Sequence, residues 1–112
     1  MTIVNRTITY RGRIKVSSDD LRLARLGKKR CTIRLGIASV VGERIDLTDG
    51  SEKISVRISK VDSTRRYESL NDLDASMEGF ASTKELLEDL SKFYGRIDPS
   101  QPITIIYFDI DL

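Results

Sequence analysis

The sequence changes character at Gly27, and this change constrains the fold more than any other feature of the chain. Residues 17–26 begin with two serines and two aspartates, which favour the first turn of a helix. Residues 30–35 alternate between polar and apolar side chains, the pattern of a β-strand with one buried face. A glycine between the two can adopt the positive φ angle at which helices commonly end. The sequence therefore predicts a mixed α+β domain in which a helix leads directly into a strand.

The predicted strand has one apolar and one polar face. Successive side chains of a strand point to opposite sides, so Cys31, Ile33 and Leu35 are expected to face a core. The polar face gathers two guanidinium groups and a hydroxyl, with an ammonium group at its entrance; they belong to Arg30, Arg34, Thr32 and Lys29. Such a surface suits a phosphate, a carbonyl oxygen or the edge of a base.

The composition limits the classes of protein that the chain can belong to. Its 112 residues suffice for one core, so a single domain over residues 1–112 is expected. The chain has no histidine, which excludes His-based catalytic triads and most zinc sites, and no metal or cofactor is expected. A single cysteine and the absence of an apolar run of membrane-spanning or signal-peptide length favour a cytoplasmic protein without membrane contact.

The net charge of +2 conceals a strong asymmetry along the chain. Residues 1–34 carry ten Lys or Arg and two Asp, whereas residues 62–112 carry five basic and eleven acidic residues. A basic N-terminal third can form a positive face for an anionic partner. The alternative is that the two segments neutralise each other once they are packed together.

Periodicity and turn signals place four more strands, in addition to the one after Gly27, and three helical segments. The strands are predicted at Thr7–Val16, Arg44–Thr48, Ile54–Val61 and Ile103–Ile110, the last apolar on both faces and so central in a sheet. Gly12 is expected to mark either a bulge or a close approach of the backbone, and Asp49-Gly50 a hairpin turn. The helical segments are residues 17–26, a short turn at Leu70–Asp74 and a helix that begins with a capping box at Ser82 and ends at Gly95. One face of the last helix carries Leu86, Leu87, Leu90, Phe93 and Tyr94.

The residues from Gly27 to Arg34 have the spacing G-x-K-x-x-x-x-R, which resembles the signature of the ASCH family. The order of elements resembles that family over roughly residues 3 to 110. ASCH domains are small β-barrels related to the PUA domain, a known RNA-binding fold. The resemblance implies a PUA-like barrel of five to six strands with two or three helices.

One branch of the ASCH family, the small amidohydrolases that remove the acetyl group from acetylcytidine, is similar in more than the signature. The resemblance implies a catalytic trio of Lys29, Thr32 and Glu78, with Thr32 as nucleophile and Lys29 as its base. Glu78 would orient Lys29 or pass a proton to the leaving amine. Neighbouring cations and partial burial are expected to lower the pKa of Lys29, whereas Glu78 acts in the opposite direction. The tips of Lys29 and Thr32 are expected to lie within hydrogen-bond reach, or somewhat further apart without a ligand.

The same segment supplies the predicted contacts to substrate or RNA, which are Gly27, Lys28, Arg30 and Arg34. Tyr10, Tyr67 or Phe80 could stack on a base. Each residue also has a plainer interpretation: a solvated charge run for the cations, a good strand former for Thr32, and a cap or loop residue for Glu78. Cys31 is expected to be a buried small residue rather than a reactive thiol.

Three functions remain open at this point. The first is an amidohydrolase that acts on an acylated nucleoside without a metal. The second is a non-catalytic domain that binds single-stranded RNA in the same basic cleft. The third is an interaction module without a ligand, which leaves the clustered Arg30, Thr32 and Arg34 unexplained. The protein is expected to be a monomer or a weak dimer.

Overall fold

The chain, in a computed structural model that describes residues 3–110, arranges five strands and three α-helices around one curled sheet. In chain order the elements are β1 Thr7–Lys15, α1 Ser18–Arg25, β2 Cys31–Leu35, β3 Ile37–Thr48, β4 Lys53–Arg66, α2 Asp72–Glu78, α3 Thr83–Tyr94 and β5 Pro102–Ile110. A 3-10 turn at Tyr67–Ser69 leads from β4 towards α2. The predicted α+β fold class is confirmed.

The sheet has the strand order β1-β3-β4-β5-β2. β1 runs parallel to β3, and the other neighbours are antiparallel. β5 lies between β4 and β2, as its two apolar faces predicted. The pairing register of β1 and β3 shifts between Arg11 and Arg13, next to Gly12, and the additional residues lie on β3 between Val41 and Asp46. Two further register shifts occur along β4. The sheet curls into a half-barrel.

The two edge strands of the curled sheet are joined by a side chain. Arg34 on β2 donates from Nη2 to the backbone oxygen of Lys15 on β1 over 2.8 Å. This contact bridges the margins of the half-barrel, where the backbone ladder itself does not close.

Two strand predictions were too short. β3 begins at Ile37 rather than at Arg44, and β4 continues to Arg66 rather than ending at Val61. The early part of β3 is mostly exposed and contains a glycine, so its apolar pattern is weak. It is a strand because residues 37–41 pair with residues 7–11 of β1, which supplies backbone hydrogen bonds that no local pattern can show.

The short turn predicted at Leu70–Asp74 is a full helix, α2, over Asp72–Glu78. Its N-cap is Asn71, whose side chain accepts from the backbone of Leu73 and Asp74, while the Asp74 carboxylate accepts from Asn71 N. The predicted helix start at Ser82 is confirmed, although Glu85 accepts from Ala81 N rather than from the N-cap residue itself.

Two apolar clusters hold the helices on the sheet. One joins α1 to β1, β3 and β4 and contains Ile14, Leu21, Ala24, Leu47 and Val56. The other joins α2 and α3 to β2 and β5 and contains Cys31, Ala75, Leu86, Ile103 and Ile105. The predicted burial of Cys31 is confirmed, and burial raises the pKa of its thiol well above the ordinary value. The thiol is therefore unreactive at neutral pH.

Candidate functional site

A cavity of about 540 Å³ opens between α1, β2 and α3, at the margin where Arg34 meets Lys15. Lys29, Thr32 and Glu78, which lie up to 49 positions apart in the sequence, all line it. Its other lining residues include Ser17, Ser18 and Asp20 from α1 and its cap, Asp49 from the β3–β4 turn, and Asp89, Leu90, Phe93 and Tyr94 from α3. The structure therefore brings the predicted catalytic trio to one cavity.

Lys29 is positioned by the turn that ends α1. Gly27 has a φ angle of +73°, which lets the chain reverse there. The backbone N–H groups of Lys28 and Lys29 then both donate to Leu23 O, over 2.9 and 3.2 Å. The next N–H group, that of Arg30, donates to Met77 O over 2.7 Å. The turn is thus fastened to α1 on one side and to α2 on the other.

Glu78 is positioned as the last residue of α2. Gly79 ends the helix in the left-handed region with a φ angle of +91°, and its N–H group donates to Ser76 O over 3.0 Å. A Cβ atom at Gly79 would lie 3.4 Å from Lys28 O. The end of α2 therefore packs closely on the turn that carries Lys29, which brings the two side chains together.

Lys29 and Glu78 form a direct ion pair and hydrogen bond, with side chains only 3% and 6% exposed. A second carboxylate is close, since Asp20 Oδ1 lies 3.8 Å from Lys29 Nζ. Burial lowers the pKa of Lys29, but Glu78 and Asp20 raise it by more, so it lies above its ordinary value. The predicted lowering is wrong, because the groups that face the ammonium are carboxylates and not the neighbouring cations.

Burial shifts the pKa of Glu78 in the opposite direction from that of Lys29, because the charged form of Glu78 is the deprotonated one. Desolvation raises the pKa of this carboxyl group, and the Lys29 ammonium beside it only partly offsets that effect. Burial therefore favours the neutral acid while the ion pair favours the carboxylate. Lys29 carries the proton in this ion pair, and its transfer to Glu78 would leave two neutral groups.

The hydroxyl of Thr32 is held by Arg34 rather than by Lys29. Arg34 donates from Nε to Thr32 Oγ1 over 3.2 Å, and its guanidinium lies 5.8 Å from the centre of the Tyr10 ring. Among residues 3–110 no hydrogen bond joins Lys29 to Thr32, although both side chains line the cavity. Because its oxygen accepts from Arg34, the Thr32 hydroxyl keeps its own hydrogen to donate.

The other predicted contacts do not join this cavity. Gly27 and Lys28 are exposed on the turn and do not line it. Arg30 lines a separate hollow of about 400 Å³ with Lys60 and Tyr107. The expectation that Arg30 shares a face with Thr32 and Arg34 is wrong, because β2 begins only at Cys31 and the backbone of Arg30 is bonded to Met77 and Phe108. Of the four predicted binding residues, only Arg34 lines the cavity.

The cavity is not the basic cleft that the sequence predicted. Four carboxylates line it, those of Asp20, Asp49, Glu78 and Asp89, against three cations, Lys15, Lys29 and Arg34. The acidic C-terminal half supplies Glu78 and Asp89 and so compensates the basic N-terminal third at this site. A strongly anionic ligand is therefore not favoured in the interior of the cavity.

The sequence analysis missed the contribution of α3. Phe93 was predicted to be on the buried face, but it is 64% exposed and lines the cavity together with Tyr94 and Asp89. Tyr67 and Phe80, which were considered as stacking residues, pack against the second apolar cluster instead. The spacing of Asp89 and Phe93, four residues apart on one helix face, was the available signal.

Within residues 3–110 no group of three or more His, Cys, Asp or Glu side chains is arranged to hold a metal ion. The helices of this part of the chain are all too short or too polar to cross a membrane.

The fold is similar to that of an ASCH domain from Lactobacillus crispatus JV V101, known from a high-resolution crystal structure. The two chains superpose with a TM-score of 0.71 at 16% sequence identity, over 95% of this chain and 80% of the other. No protein-family model and no curated protein matches the chain. The expected ASCH, PUA-like fold is confirmed at the level of architecture.

Proposed function

We propose that this domain hydrolyses the amide bond of an N-acylated nucleoside such as acetylcytidine, with Thr32 as nucleophile and the Lys29–Glu78 pair as proton relay. The observation that carries the proposal is that these three side chains line one cavity and that two of them form a buried, hydrogen-bonded ion pair in it. The likeness to an ASCH domain supports it, because it accounts for the fold in which such a trio would be presented.

The ion pair explains how a lysine with a raised pKa can serve as a base. When a ligand closes the cavity, separated charges become less favourable, and the proton moves from Lys29 to Glu78 to leave two neutral groups. The neutral amine of Lys29 then takes the proton of the Thr32 hydroxyl as its oxygen attacks the amide carbonyl. The guanidinium of Arg34, which already donates to Thr32, stabilises the oxyanion that develops beside it.

Collapse of the tetrahedral intermediate completes the first half of the reaction. The C–N bond breaks, the leaving amine takes the proton held by Glu78, and the acyl group remains on Thr32. The pair is again an ammonium and a carboxylate. The proton of Lys29 then moves to Glu78 a second time, and a water molecule attacks the acyl ester while the neutral amine of Lys29 accepts its proton. Glu78 gives its proton to the departing Thr32 oxygen, which leaves an ammonium and a carboxylate once more. The products are the carboxylic acid and the free nucleoside, and the site is restored.

The test is release of cytidine and acetate from acetylcytidine by the purified protein, followed by liquid chromatography. Thr32→Ala and Lys29→Ala should each lower kcat/KM by about a thousandfold or more, because nucleophile and base act as one unit. Lys29→Arg should fail equally, since a guanidinium stays protonated. Matched controls are Lys28→Ala, at an exposed neighbouring cation, and Thr9→Ala, at an exposed strand threonine.

Turnover retained in Lys29→Ala would contradict the proposed relay. If the unmodified protein is inactive on a panel of acylated nucleosides, the hydrolase function is excluded and the second candidate function applies.

The second candidate is a binding domain for single-stranded RNA without catalysis. The observation in its favour is that Lys29 rests as an ammonium between two carboxylates and so is not a base. RNA phosphates would then contact Lys15 and Arg34 rather than the carboxylate-rich interior of the cavity. In that case the affinity, measured by fluorescence anisotropy, should fall by about 0.7 log units per tenfold rise in salt for each phosphate contacted. Arg34→Ala should flatten this slope. Affinity that is undetectable at low salt would exclude RNA as a direct partner.

A further inference from the structure

The four carboxylates that line the cavity differ in how well they are satisfied. Glu78 is paired with Lys29. Asp20 accepts from Ser17 N and lies beside Lys29. Asp49 accepts from the Ser18 hydroxyl and from two backbone N–H groups. Asp89 alone has neither a hydrogen bond nor an ion pair within residues 3–110.

Asp89 is also in an environment that disfavours an unsatisfied charge. It is half-buried on α3, and burial together with the nearby Asp20 raises the pKa of its carboxyl group, against the smaller opposing effects of Lys29 and Lys92. A partly buried carboxylate without a donor loses hydration and gains nothing in return. A ligand that places a hydrogen-bond donor beside Asp89 would therefore gain binding free energy from that contact.

An aromatic ring adjoins Asp89 on the same helix face. Phe93 lies four residues further along α3, lines the cavity and leaves 64% of its surface exposed. Other aromatic side chains of the described chain, such as Tyr67 and Phe80, are packed into the second apolar cluster instead. An exposed ring at a cavity offers a stacking surface for a flat heterocycle.

We propose that Asp89 and Phe93 form the specificity site of this cavity, which selects a planar heteroaromatic ring bearing an amino group, stacked on Phe93 and donating to Asp89. The inference rests on the proposed function, in that it assigns the position of the nucleobase and of its exocyclic amine. A ring with a carbonyl oxygen at the same place would present an acceptor to a carboxylate and be rejected.

The test uses two matched pairs of unmodified nucleosides, which differ only in an amino group replaced by a carbonyl: cytidine with uridine, and adenosine with inosine. Affinities are measured at pH 7.5 by NMR titration at millimolar concentrations. The amino member of a pair should bind about tenfold or more tightly, as expected for a hydrogen bond to a charged group. Asp89→Asn should reduce this preference to within about twofold, whereas Glu88→Gln, at the adjacent exposed carboxylate, should leave it unchanged.

Phe93→Ala provides an independent measurement, because stacking does not depend on the amino group. It should weaken both members of a pair by the same factor, roughly five- to hundredfold. Melting curves of the three variants show that each remains folded. Equal affinity within both pairs, a preference that survives Asp89→Asn, or no binding of any of the four nucleosides would overturn the proposal.

Neither pair contains an amide to hydrolyse, so the outcome is separate from that of the turnover assay. A protein that prefers the amino nucleosides through Asp89 but leaves the whole panel of acylated nucleosides intact refutes the hydrolase and supports the specificity site. A protein that hydrolyses acetylcytidine with an unchanged kcat/KM in Asp89→Asn does the reverse.

Discussion

The two ends of α2 are each fastened by an ion pair, and the pairs differ in kind. At the N-terminal end, Arg65 donates to both oxygens of Asp74 over 3.1 and 2.7 Å, and also to the backbone oxygen and hydroxyl of Ser69. At the C-terminal end, Lys29 makes a direct contact with one oxygen of Glu78 in the wall of the cavity. The first pair has a cation that cannot lose its proton, and the second has one that can.

This difference separates a structural ion pair from one suited to chemistry. The Asp74 carboxylate also accepts a hydrogen bond from Asn71 N, so the Arg65–Asp74 pair is part of the helix cap. Arg65 has a side chain that is 23% exposed and can be hydrated if its partner is lost. Lys29 has no such exposure, and its second neighbour is another carboxylate. A proton can therefore be transferred within the Lys29–Glu78 pair at the C-terminal end of α2, but not within the Arg65–Asp74 pair at its N-terminal end.

The largest effect on stability is expected from removing the buried carboxylate. Glu78→Ala leaves the Lys29 charge in the wall of the protein with only Asp20 near it, and should lower the free energy of unfolding by about 3–5 kcal/mol. Asp74→Ala should cost less, about 1–3 kcal/mol, because Arg65 can turn to water and part of the loss is that of a helix cap. Urea unfolding followed by circular dichroism measures both.

A double variant sharpens this comparison. Lys29→Met combined with Glu78→Gln removes both charges and should recover much of the stability lost in Glu78→Ala. If Asp74→Ala proves more costly than Glu78→Ala, then the pair at the cavity is the weaker attachment of α2, and the contrast drawn between the two ends is wrong.

An intermediate effect is expected at alkaline pH. Because the pKa of Lys29 in the folded protein lies above its ordinary value of 10.5, the folded state holds this proton more tightly than the unfolded state does. The stabilisation is complete below about pH 10.5 and is lost as the pH rises through the higher folded value. The free energy of unfolding should therefore fall more steeply above pH 10.5 in the unmodified protein than in Lys29→Met.

The other ionisable side chains are common to both proteins, so the difference between the two curves isolates Lys29. Identical curves would show that Lys29 gains nothing from its two carboxylates. The Arg65–Asp74 pair makes no contribution to this difference, since a guanidinium is not deprotonated at these pH values.

The smallest effect is expected from Arg65→Lys. The substitution keeps the charge but loses the two parallel hydrogen bonds to Asp74 and the contacts to Ser69, and should cost about 1 kcal/mol. Turnover and nucleoside binding should be unaffected, because Arg65 does not line the cavity. A change in kcat/KM larger than twofold would indicate that the two ends of α2 are coupled.

Much of the fold follows from local sequence signals. The helix cap at Ser17, the turn at Gly27, the hairpin at Asp49-Gly50 and the central position of β5 were all predicted and are present. The extents of β3 and β4 were not, because their additional residues are ordered by strands distant in the sequence. The signature likewise led to Lys29 and Thr32, and the resemblance to the amidohydrolase branch led to Glu78; the structure brings all three to one cavity.

The electrostatics of the cavity could not be predicted in the same way. Counting charges along the chain suggested a basic cleft, but the sign of a site depends on which distant segments meet there. Asp89 on α3 and Asp20 on α1 line the same cavity as Lys29 and Arg34, the cations of the signature. The exposure of Phe93 depends on how α3 is rotated against the sheet, which its apolar periodicity alone leaves open.

The margins of the half-barrel are joined by the side-chain contact from Arg34 to the backbone of Lys15 and not by a ladder between β1 and β2. The peptide groups of β1 and β2 that face each other across this seam are not locked by a ladder, so their amide hydrogens can exchange with solvent by local opening at a free energy below that of global unfolding. Lys15 on one margin and Thr32 on the other both line the cavity. A molecule that fills the cavity would contact both margins at once and hold β1 and β2 together. Ligand binding should therefore slow amide exchange along these two strands, which lie at opposite edges of the sheet.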